Sequence, residues 1–131
     1  MPKIVSLDHL VLTVRDIPAC VRFYTEVLGV TVETFRPTDG TERTALKFGQ
    51  QKINLHQAGA EFEPKATTAL PGTADLCFLT EAPLEDWQAH LAEHEVELML
   101  GPVPRTGARG AIRSLYVRDP DGNLIEISIY D

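Results

Sequence analysis

The fold is decided by the stretch Leu7-Asp8-His9-Leu10-Val11-Leu12-Thr13-Val14 and by the segment after it, over 15–29. The stretch is short, rich in branched residues and bounded by a charged pair, which predicts a β-strand with His9 on its polar face. A helix is predicted next, because Asp16 suits its N-cap, Pro18 suits its first turn and Gly29 ends it. Three further strands are predicted over 31–35, 43–48 and 52–57.

The same order of elements returns after a loop over 58–72. A strand over 74–80 precedes a second helix, in which Pro83 lies just inside the first turn. Three more strands are predicted over 96–100, 113–118 and 123–130. Pro18 and Pro83 are 65 residues apart, about half of the 131-residue chain, which favours an old duplication. The sequence therefore predicts an α+β fold of two tandem βαβββ modules, over 1–57 and 73–131, within a single domain.

Side chains alternate along the last strand of each module. Ile125 and Ile127 face one way and Glu126 faces the other, and Ile53 likewise opposes Asn54 and His56. One face of each sheet is therefore expected to pack on a helix while the other carries polar groups. We expect the modules to form a curved, barrel-like mixed sheet with the helices on its outer face. Its polar inner face would make a cup for a small ligand or a metal.

The composition excludes several classes of protein. Hydrophobic residues make up 44% and charged residues 24%, as in an ordinary globular chain. The net charge of −7 argues against a nucleic-acid partner, and no apolar stretch approaches the about 20 residues that cross a bilayer. The start of the chain lacks the apolar core of a signal peptide. Cys20 and Cys77 both lie in apolar-patterned segments, so we expect both to be buried and reduced in a cytoplasmic protein.

Four potential metal ligands occupy matching places in the two modules. His9 and Asp75 lie on the first strands, and His56 and Glu126 lie on the last strands. The first and last strands of a module would be neighbours in a closed-up sheet, so these side chains could converge at the floor of the cup. Two imidazoles with one or two carboxylates suit Zn²⁺, Ni²⁺, Mn²⁺ or Fe²⁺, and the sequence does not choose among these ions.

Candidate substrate-binding residues lie in the second module. The segment from Gly101 to Arg113 is predicted to be a loop, which is more often simply solvated but could close over the pocket, with Arg105 held in a turn at the rim. Its guanidinium would bind a carboxylate or phosphate of the substrate. Ser114 and Tyr116 alternate on one strand face and are candidates to line the cup, although a packing role explains them equally well.

Three motifs together resemble one known superfamily. They are Asp8-His9-Leu10-Val11-Leu12, Phe23-Tyr24-Thr25-Glu26-Val27-Leu28-Gly29 and Asp119-Pro120-Asp121-Gly122-Asn123-Leu124-Ile125-Glu126. Over essentially its whole length the chain resembles the vicinal oxygen chelate superfamily, which includes glyoxalase I, fosfomycin-resistance enzymes, extradiol dioxygenases and bleomycin-resistance proteins. Within it, the segments 52–57 and 101–108 most resemble the subgroup named glyoxalase domain-containing protein 5.

The resemblance implies a metal-dependent, glyoxalase-like lyase or isomerase that acts as a homodimer on a small oxygenated substrate through an enolate-like intermediate. It also implies metal ligation by His9, His56 and Glu126, with Asp75 as a fourth ligand. Either carboxylate, Glu126 or Asp75, could be the base that removes a proton, and we prefer Glu126 as the ligand and Asp75 as the base. The chain departs from glyoxalase I in having His56 where that enzyme usually has Glu. It also has Asp75 where that enzyme usually has a longer ligand.

Two other functions stay open at this point. Two histidines and one carboxylate resemble the ligands of Fe(II) oxygenases, which would make the protein an extradiol-type dioxygenase. A non-catalytic module of the bleomycin-resistance kind would instead bind a small molecule without metal. The spacing of His90 and His94 could bind a metal as well, but we interpret them as a solvated flank of the second helix.

Overall fold

A computed structural model describes all residues from 1 to 131. The chain forms two compact units, Met1–Pro71 and Gly72–Asp131. The first unit contains β1 (His9–Val14), α1 (Ile17–Arg22) continued by a π-helical turn (Phe23–Val27), β2 (Thr31–Phe35), β3 (Arg43–Phe48) and β4 (Gln51–Gln57). The second contains β5 (Asp75–Leu79), α2 (Leu84–Glu93), β6 (Leu100–Gly107), β7 (Gly110–Arg118) and β8 (Leu124–Tyr130). The α+β class and the repeated βαβββ order are thus confirmed.

Each unit holds one mixed four-stranded sheet with the same pairing of strands. The strand order is β1-β4-β3-β2 in the first unit and β5-β8-β7-β6 in the second. In both, the first and last strands of the unit pair in parallel, while the remaining pairs are antiparallel. The expectation that first and last strands are neighbours is therefore confirmed in each unit. Neither helix has the length and apolarity needed to span a bilayer.

The alternation of side chains decides which face of each sheet belongs to the core. Ile53 and Leu55 of β4 are buried, as are Ile125 and Ile127 of β8. The helix of the first unit adds buried Cys20 and its π-helical end adds buried Tyr24 and Val27; α2 adds buried Leu84 and Leu91. These apolar side chains form the core of their respective units and leave the opposite sheet faces for polar groups.

The turn between β7 and β8 forms as its sequence predicts. Asp119 Oδ1 accepts hydrogen bonds from the backbone amides of Asp121 and Asn123, each at 2.9 Å. Asp119 Oδ2 accepts a third from the Asn123 side chain at 2.8 Å. All three residues are buried, and the bonds satisfy polar groups that burial would otherwise destabilise.

The segment over 101–113 differs from its prediction as a loop. It forms a β-hairpin, in which Leu100–Gly107 pairs with Gly110–Arg118, and the strand predicted over 96–100 is absent apart from its last residue. Pro102 and Pro104 make the segment look irregular in the sequence, since proline cannot donate to a ladder. Because β6 is the edge strand of its sheet, the missing donors cost little there.

Candidate functional site

The second unit carries most of the predicted site on one polar sheet face, which we call the Glu126 face. Glu126 of β8 is paired with Cys77 of β5 on one side and with Tyr116 of β7 on the other. Paired residues point to the same face, and side chains two positions along a strand do so as well. The Glu126 face therefore presents Asp75, Cys77, Arg105, Ser114, Tyr116, Glu126 and Ser128.

Glu126 is oriented by two buried hydroxyls. Ser114 Oγ donates a hydrogen bond to Glu126 Oε2 at 2.6 Å, and Ser128 Oγ donates to the same oxygen at 3.3 Å. The two serine oxygens lie 2.7 Å apart, and neither serine is exposed. Because both hydroxyls contact Oε2, the position of the carboxylate is fixed.

Asp75 is the first residue of β5 and is exposed. Its register partner is Leu124, so it lies diagonally from Glu126 with the Cα atoms about 8 Å apart, by ordinary strand spacing. Carboxylates at this separation are within reach of one small ligand.

Cys77 corrects a prediction. The sequence pattern predicts a buried core thiol, but Cys77 is exposed on the Glu126 face, with its Sγ 3.3 Å from Ser128 Oγ. Partial desolvation raises the pKa of this thiol, which keeps it protonated. Cys77 is the member of the face that sequence reasoning missed, whereas the alternation along the last strand already places Ser128 beside Glu126. The position of Cys77, two residues after Asp75, is the period-two signal that could have found it.

Arg105 and Tyr116 form a pair at the outer strands of the face. Arg105 Nε donates a hydrogen bond to the Tyr116 hydroxyl at 2.9 Å, and Nη1 donates to the carbonyl of Pro104 at 2.9 Å. Arg105 therefore stands on a strand rather than on a closing loop, and its Nη2 stays available for an anionic group. Tyr116 lies directly opposite Glu126, so the pair borders the carboxylate.

In the first unit, His9 is the first residue of β1, as Asp75 is of β5. His9 Nδ1 lies 2.8 Å from Asp8 Oδ2, and this hydrogen bond holds the pKa of the Asp8 carboxyl below its ordinary value. A carboxylate on Nδ1 directs the other ring nitrogen, Nε2, towards a ligand, which is the arrangement that metal-bound histidines use.

His56 does not occupy the place that the sequence predicts for it. In the parallel pair of β1 and β4, His9 is opposite Lys52, whereas His56 is opposite Thr13. The two histidines are therefore four residues out of register, about 13 Å apart along the strands, which is too far for a shared ion. His56 is buried, with the Phe62 ring edge-on at 5.3 Å, and Arg43 lies over that ring at 3.8 Å.

The counterpart of Glu126 in the first unit is Asn54. Asn54 is two positions beyond the partner of His9, just as Glu126 is two positions beyond the partner of Asp75. His56 instead corresponds to Ser128. The Asn54 side-chain oxygen is buried and has no hydrogen-bond partner. A buried acceptor without a partner is unfavourable, and such an atom is a candidate contact for a bound ligand.

Each unit offers donor atoms of the kinds that bind divalent metals. In the first unit, His9 offers an imidazole nitrogen and Asn54 a neutral amide oxygen. In the second unit, Asp75 and Glu126 offer carboxylates.

Comparison with known proteins gives the chain clear relatives. The sequence profile described as Glyoxalase/Bleomycin resistance protein/Dioxygenase superfamily matches residues 6–127. The chain is 56% identical to virulence protein STM3117 of Salmonella typhimurium, covering 95% of this chain and 83% of that protein. It is 55% identical to glyoxalase domain-containing protein RDO1 of Mycosarcoma maydis, covering 95% and 68% respectively.

Two further comparisons bear on function and fold. Biphenyl-2,3-diol 1,2-dioxygenase 3 of Rhodococcus globerulus is 32% identical, covering 94% of this chain and 62% of that protein. The solved structure of VPC_CASS1, from the mobile metagenome of V. Pseudocholerae, superimposes with a TM-score of 0.94 at 56% identity. That alignment covers 100% of this chain and 98% of the other.

Proposed function

The chain belongs to the Glyoxalase/Bleomycin resistance protein/Dioxygenase superfamily, and from this premise we propose that it is a metal-dependent lyase or isomerase of the glyoxalase type. The proposed substrate is a small molecule with a carbonyl group beside a carbon that carries a removable proton. The observation that carries the proposal is the Glu126 face, where a fixed carboxylate, a second carboxylate and a free guanidinium edge share one surface.

The proposed metal ligands are His9 of the first unit and Glu126 of the second, and Asp75 is proposed as the base or as a further ligand. When bound, a divalent ion supplies Lewis acidity, which polarises a carbonyl oxygen and stabilises negative charge that develops on it. Ser114 and Ser128 hold Oε2 of Glu126, so its carboxylate is oriented before the ion arrives. His56 is not proposed as a ligand.

The remaining groups provide proton transfer and substrate binding. Asp75 is the preferred base, because its exposed carboxylate can accept a proton from the substrate carbon when it is not bound to the ion. Arg105 anchors an anionic group of the substrate through Nη2, and Tyr116 holds the guanidinium in place. Together these roles describe a proton transfer next to a carbonyl.

The register of β4 bears on the two alternative functions. An extradiol-type dioxygenase uses two histidines and one carboxylate, and the displacement of His56 leaves only His9 in a matching position. The second candidate is a small-molecule-binding protein without metal. It is supported by Asn54, because a neutral amide stands where the second unit has Glu126.

The decisive experiment is metal content by mass spectrometry on untagged protein prepared without chelators. After mild dialysis, we expect close to one ion per chain to remain bound to the wild type. The variants His9→Ala and Glu126→Ala should each lose this ion. Ser114→Ala removes only an orienting hydroxyl and should weaken metal affinity about 10- to 100-fold. Ser6→Ala, a change at an exposed serine, is the matched control and should leave affinity unchanged.

Asn54→Asp tests the proposal through a gain of metal binding rather than a loss. A carboxylate at this position should tighten metal binding and raise the melting temperature on metal addition, because binding to the folded state alone stabilises it. Gln50→Glu, which adds the same negative charge at an exposed residue, is the control and should leave metal binding unchanged. Absence of metal from the wild type after reconstitution, with Asn54→Asp also unresponsive, would leave the binding protein as the better proposal.

Three further assignments are part of this proposal. They are membership of the glyoxalase domain-containing protein 5 subgroup, a cytoplasmic location and assembly as a homodimer.

A further inference from the structure

A second group of metal-ligating side chains lies at the C-terminal end of α2. His90, Glu93 and His94 each offer one ligand atom, and these atoms all lie within 4.8 Å of one another. The spacing of the two histidines alone is typical of a solvated helix flank. The added carboxylate and the closeness of the donors make this group more specific than two histidines on one helix face.

The local geometry brings the two imidazoles together and orients the ring of His94. The rings of His90 and His94 are four residues apart on the helix, with centroids separated by 4.3 Å. His94 Nδ1 donates a hydrogen bond to the backbone carbonyl of His90 at 3.0 Å, which leaves Nε2 as the ligand atom. A hydrogen bond on the other ring nitrogen is the feature that orients metal-binding histidines.

The position on the helix also favours a cation. Glu93 is the last residue of α2 and His94 is its C-cap, so the group lies where the final carbonyls of the helix concentrate partial negative charge. Ligand atoms bound to one ion at about 2.1 Å lie about 3.5 Å apart. Glu93 and His94 are exposed, so rotation of their side chains can close the remaining gap.

We propose that His90, Glu93 and His94 form a surface site for a borderline divalent transition ion such as Zn²⁺, Ni²⁺ or Cu²⁺. Two imidazoles with one carboxylate select these ions over Mg²⁺ and Ca²⁺, which prefer oxygen ligands. Water completes the coordination, because the group is open to solvent. The bound ion joins residues of the last helical turn and thereby stabilises the end of α2. The site uses none of His9, Asp75 and Glu126 and does not depend on the proposed enzymatic function.

The single tryptophan of the chain is a built-in probe. The Trp87 ring lies 5.7 Å from the ring of His90, and its Nε1 donates a hydrogen bond to Thr80 Oγ1 at 2.8 Å. Paramagnetic Cu²⁺ quenches the fluorescence of a nearby indole. Titration with Cu²⁺ should therefore quench Trp87 saturably, Zn²⁺ should relieve the quenching by competition, and Mg²⁺ should not.

Single substitutions identify the ligands. His90→Gln and His94→Gln should each weaken the quenching about 10-fold or more, and Glu93→Gln by less. Glu85→Gln, which removes an exposed carboxylate at the opposite end of α2, is the matched control and should leave quenching unchanged. Far-UV circular dichroism confirms that each variant is folded. Equal quenching of the wild type and the His90→Gln/His94→Gln double variant would overturn the proposal, as would the absence of saturable quenching in the wild type.

Discussion

His56 is kept neutral by its surroundings. Burial lowers the pKa of its imidazole first of all, the positive charge of Arg43 lowers it further, and Glu61 opposes both. In the unfolded chain the imidazole has its ordinary pKa of about 6.5. The unfolded state therefore binds more protons than the folded state at mildly acidic pH, so the free energy of unfolding falls as the pH drops below about 6.5.

We predict that His56→Gln flattens this dependence on pH. Urea unfolding between pH 7.5 and 5 should show a wild-type stability that declines on acidification, and a variant in which the decline is smaller. The carboxyls of Asp8, Asp39 and Glu61 have lowered pKa values too, but they titrate at more acidic pH and fall outside this window. A His56→Gln slope equal to that of the wild type contradicts the prediction.

The sequence predicts His56 as the counterpart of Glu126, whereas the structure gives Asn54. This difference has a simple physical cause. Side chains two residues apart on a strand face the same way, so alternation places both on the polar face and cannot distinguish them. The pairing of β4 with β1 makes the distinction, and that register depends on contacts between distant parts of the chain. Sequence could thus identify the face but not the place of each residue along it.

At the scale of elements, a turn or strand could be predicted from sequence where residues within that segment determine its structure. The turn at Asp119 and the alternation of Ile125 and Glu126 were predictable, because one side chain or one strand determines them. Strand β6 was not, because Pro102 and Pro104 are tolerated only through its position at the edge of a sheet. Edge position is a property of the assembled sheet, which no local pattern contains.

The start of β6 depends on Gly101. Its φ of +119° is a conformation that side chains rarely adopt, and an added Cβ would meet the backbone carbonyl oxygen of Ser114. We predict that Gly101→Ala is strongly destabilising in urea unfolding. Gly110→Ala is the comparison, because Gly110 has a φ of +140° but nothing within 4 Å of an added Cβ. Gly110→Ala should cost about 1–3 kcal/mol of backbone strain, and a Gly101→Ala loss no larger would show that the close approach is unimportant.

At the scale of the whole molecule, the two units repeat the same order of elements, and the sequence could reveal this repeat only approximately. Pro18 lies within the first turn of α1, whereas Pro83 precedes α2 as its N-cap, so the two prolines are not at equivalent positions. By contrast, His9 and Asp75 are at equivalent positions, because each begins its strand. The strand partner of His9 lies two residues before Asn54, and the strand partner of Asp75 lies two residues before Glu126. The strand registers therefore define the equivalent positions, and the helix starts do not.

Self-association is the property of the whole molecule that the exposed apolar residues predict. Ile4, Val5 and Leu7 are 92%, 86% and 62% exposed, although each is strongly apolar, and clustered exposed apolar side chains are typical of association surfaces. We predict a homodimer, so sedimentation equilibrium should give about 29 kDa, twice the 14.5 kDa of one chain. Because each chain carries a net charge of −7, higher salt should strengthen the dimer by screening repulsion.

Ile4→Asp/Val5→Asp should shift the mass to that of a monomer, while Val32→Asp, a change at another exposed apolar residue, should not. A wild type that stays monomeric at both low and high salt would refute the dimer, and a dimer unaffected by Ile4→Asp/Val5→Asp would place its interface elsewhere.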